Sequence, residues 1–227
     1  INLSKAKKGL ILITGATGSG KSTTMAALIQ KISNESKNHI ITIEDPIEYL
    51  DEHSESMVNQ REVGIDTATF ATGLRSALRQ DPDVVAIGEL RDVESMSAAL
   101  TIAETGHLVL GTLHTNTAIG TITRLVDAFP PVKQDIIRTN LSMSLLAIIS
   151  QQLIPNKNNG RSLAAEILIN TQAIKSLIRE NNIHQIDSYI QSGLKDGMIR
   201  MDNFILNLYN KNIISKEQAL NHAIHPS

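Results

Sequence analysis

Apolar and polar positions alternate between two regimes along this chain. Nearly continuous apolar runs occupy residues 9–14, 38–43, 83–89 and 108–115. Each is short and rich in β-branched residues, the pattern of a strand buried on both faces. Between them, residues 23–32, 67–80, 93–105 and 117–129 place apolar side chains at helical spacing. On the 67–80 segment Phe70, Leu74, Ala77 and Leu78 share one face, with Asp66 or Thr67 as the cap. Asp92 reads as the cap of 93–105. Strands alternating with helices predict an α/β domain with a mostly parallel sheet. Residues 56–63 alternate weakly, as an exposed strand or hairpin would.

Past Pro130-Pro131 the pattern predicts one long amphipathic helix over 133–152, with Ile136, Ile137, Leu141, Leu145, Leu146, Ile148 and Ile149 on its apolar face. Residues 156–161 form a polar, hairpin-like turn, and 162–169 one more strand. From residue 171 onward the pattern is helical, with breaks near 181–182, 193–197 and 210–215. This tail carries none of the nucleotide chemistry described below. The predicted organisation is therefore a core over 9–170 and a small helical subdomain over 171–227.

Composition narrows the picture. The 227 residues are 41% hydrophobic, with three Phe, three Tyr and no Trp, so the core rests on aliphatic side chains. The net charge of −2 exerts no global pull toward nucleic acid or anionic lipid. The chain has neither the basic stripe nor the stacking aromatics of a nucleic-acid translocase. There is no cysteine, which rules out disulfides and thiolate metal sites. No run approaches the roughly 20 apolar residues of a membrane span.

The chemistry centres on Gly15, Ala16, Thr17, Gly18, Ser19, Gly20, Lys21 and Ser22, which match G-x-x-x-x-G-K-[ST] between a strand and a helix that opens at Thr23. Glycines let the backbone wrap phosphate oxygens with successive N–H groups pointing inward. The helix N-terminus adds its partial positive charge. Lys21 is expected to reach the β- and γ-phosphates and Ser22 to ligate Mg²⁺. Acidic residues 44–48 follow the second strand, where ligands bind in open α/β sheets. The third strand ends at Gly88-Glu89. Gly88 stands where many P-loop enzymes carry a magnesium-linked Asp. Glu89 is the candidate to orient or deprotonate the attacking water, or to hold Mg²⁺ through a water.

His107 and His114 bracket the fourth strand, an odd number of steps apart. Along a regular strand that places them on opposite faces and about 20 Å or more apart, unable to share one metal ion. His114, at the carboxyl end, is placed to sense the γ-phosphate, and His107, at the far end, reads as structural. Arg75 and Arg79 project from one side of their helix, either as a solvated basic stripe or as phosphate-facing guanidiniums.

Four motifs in order now carry a resemblance: residues 15–22 (Walker A), Thr42-Ile-Glu-Asp-Pro-Ile-Glu48 (Asp box), residues 78–92 ending Gly88-Glu-Leu-Arg-Asp92 (atypical Walker B) and Thr105-Gly-His through His114 (His box). The chain resembles, over essentially its whole length, the ATPases of type II secretion and type IV pilus systems. Within them it is most similar to the pilus retraction ATPases of the PilT type, through Ala173-Ile-Lys-Ser-Leu-Ile-Arg-Glu180, where Lys175 and Ser176 depart from that branch's pattern. The secretion and pilus-extension branches typically carry a four-cysteine zinc module, absent from this sequence.

The resemblance implies a RecA-like core that binds ATP and Mg²⁺. Lys21 and Ser22 would hold phosphates and metal, Glu89 and Glu48 would act as the motif carboxylates, and His107 and His114 as the two box histidines. Arg75 falls near the nucleotide or subunit interface. It also implies a cytoplasmic homohexamer at the inner face of the membrane, working on a pilus platform protein, with a paralogous retraction ATPase as a further partner. The chain opens at Ile1, so residues 1–8 read as the end of a linker from a preceding domain. The alternatives are a pilus-extension, secretion or conjugation ATPase, and an assembly subunit that binds ATP without hydrolysing it.

Overall fold

The computed structural model describes residues 3–50 and 54–225. Residues 1 and 2 of the expected linker and the last two of the tail lie outside them. Residues 3–5 make one 3-10 turn, tied to the first long helix by Ser4 Oγ donating to Glu35 Oε2 at 3.3 Å.

The chain then alternates as the apolar runs predict. β1 (Gly9–Thr14) leads through the glycine loop into α1 (Lys21–Glu35). β2 (His39–Glu44) and β3 (Met57–Glu62) precede α2 (Phe70–Ala77), which ends in a 3-10 turn. β4 (Val84–Ile87), α3 (Val93–Glu104), β5 (Leu108–Leu113) and α4 (Ala118–Asp127) follow. Then come α5 (Pro131–Ser144), β6 (Leu145–Pro155) and β7 (Arg161–Ile169). α6 (Gln172–Arg179), α7 (Ile186–Ser192), α8 (Met201–Asn210) and α9 (Lys216–His222) complete the chain.

Among the described residues the strands form one sheet in the order β3-β2-β4-β5-β1-β6-β7. Every neighbouring pair is parallel except β6–β7. β1, β4 and β5 are buried at every position, as strands covered on both faces must be. The period of two sorts their side chains between two cores. Leu10, Leu12, Val85, Ile87 and Val109 face the larger one, lined by α2 to α7. Ile11, Ile13, Val84, Ala86 and Leu110 face Met25, Ile29 and Ile32 of α1.

Caps settle most helix starts. Asp92 accepts from Ser95 N at 2.7 Å and opens α3 as expected. α2 starts later than its periodicity implies, because Thr69, in extended conformation, forms a capping box with Thr72. Asp66 accepts from Glu62 N instead, in the turn before it.

The one element misread is the helix over 133–152. α5 stops at Ser144, and Leu145 begins an eleven-residue strand. Leu145, Leu146, Ile148 and Ile149 suit a helix face or a buried strand equally well. The ladder decides between them: β6 pairs in parallel with β1 and antiparallel with the edge strand β7, so it lies inside the sheet with a partner on each side. On α5 itself Ile137 and Leu141 are buried, whereas Ile136 is exposed. The β6–β7 turn is held by Asn156 Oδ1, which accepts from Asn158 N and Gly160 N.

The tail divides its packing. Ile174, Leu177, Ile178, Ile186, Ile190 and Met198 belong to the larger sheet core. Met201, Ile205, Leu208 and Ile214 form a separate small cluster with Ile154 and Ala164 of the β6–β7 hairpin. Among the described residues no helix is long and apolar enough to cross a membrane.

Candidate active site

The carboxyl ends of β1, β2, β4 and β5 open into one cavity of about 510 Å³, lined also by the start of α1 and by the β6–β7 hairpin. Parallel strands bring this about, because every chain leaving them emerges on the same edge. Gly18, Gly20, Lys21, Ser22 and Thr23 line the cavity from one side; Glu48, Glu89 and His114 line it from the other.

The loop around residues 15–20 needs its glycines. Gly15 has φ +146°, and a Cβ there would drive into the Gln151 carbonyl. Gly18 has φ +77° with no protein atom within 4 Å of a Cβ position, so its backbone is open to the cavity. α1 begins at Lys21 behind Gly20, with no side-chain cap, so the first-turn N–H groups remain available to an anion. Gln151 braces the loop from β6 by donating through Nε2 to the Ser19 carbonyl at 2.9 Å. The buried Ser19 hydroxyl has no hydrogen-bond partner.

A chain of polar contacts runs across the strand ends. Lys21 Nζ donates to the carbonyls of Gly15 (2.9 Å) and Ala16 (3.1 Å) and lies 3.5 Å from His114 Nδ1. Burial lowers the Lys21 pKa from its ordinary value, and the carboxylates of Glu89 and Glu48 oppose that shift. His114 Nε2 is 3.0 Å from Glu89 Oε1. Glu89 Oε2 accepts from Arg91 Nε at 2.5 Å, and Arg91 Nη1 donates to Asp45 Oδ2 at 3.0 Å. The hydrogen bond to Glu89 is the first cause of the further rise in the Arg91 pKa.

Gly88 has its own reason to be glycine. A Cβ there would sit 3.2 Å from Glu44 Cα and 3.3 Å from the Ile43 carbonyl, so a side chain would push the ends of β2 and β4 apart by a few tenths of an ångström. Thr112 Oγ1 donates to the Gly88 carbonyl and fixes the same turn from β5. The acidic turn after β2 is held as well. Glu44 Oε1 accepts from Thr42 Oγ1 (2.6 Å) and Gln60 Nε2 (3.1 Å), and Tyr49 Oη lies 2.8 Å from Thr23 Oγ1.

Two expected residues lie elsewhere. His107 precedes β5 at the opposite sheet edge, with Nδ1 3.2 Å from both the Ile102 carbonyl and Thr105 Oγ1. Arg75 is exposed on α2, 3.8 Å from Glu94 of α3. Neither lines the cavity. Conversely, Arg91, Gln151 and Arg161 belong to the site or its support and were not singled out from the sequence. Arg91 stands two residues after Glu89 in a loop past a strand end, which is a usable signal. Gln151 falls within the 133–152 segment that reads as helix, and Arg161 closes the polar turn over 156–161, where spacing gives no link to the glycine loop.

The residues fit a magnesium nucleotide. Ser22 and Glu89 present oxygen donors to one cavity, as a hard cation requires. Among the described residues no group of three or more His, Asp or Glu could hold a metal by itself. Magnesium commonly takes one or two protein oxygens and completes its shell with phosphate and water.

Comparison with known proteins places the chain among relatives of shared sequence and fold. The chain is 51% identical over 217 residues to the type IV pilus retraction ATPase PilT of Pseudomonas aeruginosa, covering 96% of this chain and 63% of that protein. It is 49% identical over 218 residues to a twitching motility protein of Neisseria gonorrhoeae, covering 96% of this chain and 58% of that one. The chain thus spans about three fifths of the length of these relatives. Its fold superposes on the crystal structure of the pilus retraction motor PilT with bound ADP with a TM-score of 0.93 and 52% identity, over 99% of this chain and 64% of that one. The model of the type II/IV secretion system protein family matches residues 2–207, and the chain belongs to that family.

Proposed function

We propose that this chain is the ATP-hydrolysing part of a hexameric motor that powers type IV pilus retraction. The observation that carries the reading is the convergence of the phosphate loop, Glu89 and His114 on one cavity. The relatives named above, a retraction ATPase and a twitching motility protein, supply the process.

The backbone N–H groups of residues 18–22 and the Lys21 ammonium bind the phosphates. Ser22 and Glu89 would hold Mg²⁺, which would supply charge neutralisation on the phosphates. Glu89 orients the attacking water and accepts its proton. His114 contacts both Glu89 and Lys21, and so reports the γ-phosphate to the loop that opens α4. Glu48 faces Lys21 from the acidic turn. His107 anchors the start of β5, and Arg75 offers an exposed cation to a neighbouring subunit. The core over 9–170 performs the chemistry, and the helices from 171 onward transmit it to a membrane-embedded platform protein at the cytoplasmic face. A paralogous ATPase is a further partner.

The test is Mg-ATP turnover by the longest protein that carries this sequence, beside its Glu89→Gln variant. Turnover is expected in the parent and a loss of at least about a hundredfold in the variant, consistent with removal of both base and positioning. Equal turnover in the two would remove the assignment. In cells, loss of the protein should leave surface pili in place, often in excess; their disappearance would point to assembly instead.

A further inference from the structure

Glu89 sits near the start of the loop between β4 and α3, carries three side-chain torsions and must present one carboxylate oxygen to a water. Its two oxygens have separate holders. His114 Nε2 lies 3.0 Å from Oε1, and Arg91 Nε donates to Oε2 at 2.5 Å. Arg91 is itself tethered, because its Nη1 donates to Asp45 Oδ2 at 3.0 Å. Asp45 follows β2, Glu89 and Arg91 follow β4, and His114 follows β5. The guanidinium therefore spans two strand ends and fixes the carboxylate against the scaffold. A planar fork does this with separately aimed N–H groups, whereas a lysine does it less well, since one ammonium must divide itself between the two carboxylates.

We propose that Arg91 is the positioning residue of the hydrolytic step, holding Glu89 in the rotamer that addresses water. The bond does not disable the carboxylate. Each oxygen of an ionised carboxylate has two acceptor directions. Arg91 and His114 take one on each oxygen, which leaves the second free for water. The side chain is about half exposed and lines the cavity mouth beside Asp45, so it steers the carboxylate and is not a buried structural cation. The inference rests on the ATPase reading above and adds the residue that sets its geometry.

The experiment compares Arg91→Ala and Arg91→Lys with the parent protein and Glu89→Gln. It measures steady-state turnover, affinity for a fluorescent ATP analogue and melting temperature. Arg91→Ala should lower kcat about 10- to 100-fold, the scale of an ångström-sized misplacement. KM and analogue affinity should stay within about threefold of the parent. Arg91→Lys should recover part of the loss, and adding Arg91→Ala to Glu89→Gln should cost nothing more. Parent-like turnover in Arg91→Ala would overturn the proposal. So would a rise in kcat, which would make the contact an inhibitory latch. Analogue affinity falling in step with kcat/KM would also overturn it, making Arg91 a nucleotide ligand. If Arg91→Ala melts before assay, Arg91→Lys decides: turnover equal to the parent's overturns the proposal. A parent that turns over ATP and loses it in Glu89→Gln keeps the ATPase reading whatever Arg91 shows. A parent without turnover overturns both.

Discussion

His114 illustrates how much a single residue's surroundings decide. Its ring lies between the Glu89 carboxylate, 3.0 Å from Nε2, and the Lys21 ammonium, 3.5 Å from Nδ1. Spacing along a strand could place it at the right edge but could not supply these partners. Lys21→Ala removes the cation that reaches the phosphates. ATP turnover should fall by at least about a hundredfold, as expected for a preorganised charge at a developing negative centre, and analogue binding should weaken with it. Gly15→Ala tests the loop. At φ +146°, with the Gln151 carbonyl in the way, the substitution should cost about 1–3 kcal/mol of strain, a fall in Tm of roughly 2–12 °C. An unchanged melt would show that the loop relaxes freely.

Among the elements, β7 carries a residue that no motif announces. Glu166 is buried, and its Oε1 accepts from Ala118 N, the first residue of α4, at 2.8 Å. Burial, assisted by Asp187, raises its pKa above the ordinary carboxylate value. A carboxyl more easily protonated in the folded state favours folding below its unfolded pKa of about 4.3 and loses that contribution as pH rises through the folded value. Glu166→Gln keeps an acceptor without the buried charge, so it should flatten this pH dependence in chemical denaturation. Glu166→Ala leaves the buried Ala118 N–H unsatisfied and should cost about 1–3 kcal/mol at neutral pH. Equal melts for the Ala and Gln variants would refute this role. The same scale explains the misread element. Apolar residues from Leu145 to Ile149 satisfy both periods, and only partners on both sides make them a strand.

For the whole molecule, the tail is not an appendage of one kind. Ending the chain after residue 170 would strip Ile174, Leu177, Ile178, Ile186, Ile190 and Met198 from the sheet core. At about 1.5–3 kcal/mol per buried side chain, these six account for about 9–18 kcal/mol, an upper estimate comparable with the entire stability of a domain at about 5–15 kcal/mol. Such a truncation should aggregate. One made after Ser215 removes α9, which contributes no fully buried residue. It should remain folded, with a lower melting temperature measurable by circular dichroism. A well-folded product from the shorter chain would mean that α6 and α7 dock only weakly.

The sequence by itself determined the parts whose physics is local. Glycine-loop spacing, apolar strands covered on both faces, capping residues such as Asp92, and helix breaks at residues able to take positive φ are all set within a few positions. They sufficed for the α/β class and for the order of the motifs. The tertiary structure alone decided what depends on distant partners. It made 145–155 a strand between β1 and β7, which brought Gln151 under the phosphate loop and Arg161 to the cavity. It left Arg75 outside that cavity and joined Asp45, Arg91, Glu89, His114 and Lys21 into one line of contacts. Those contacts join residues up to 93 positions apart, and no periodicity reaches that far.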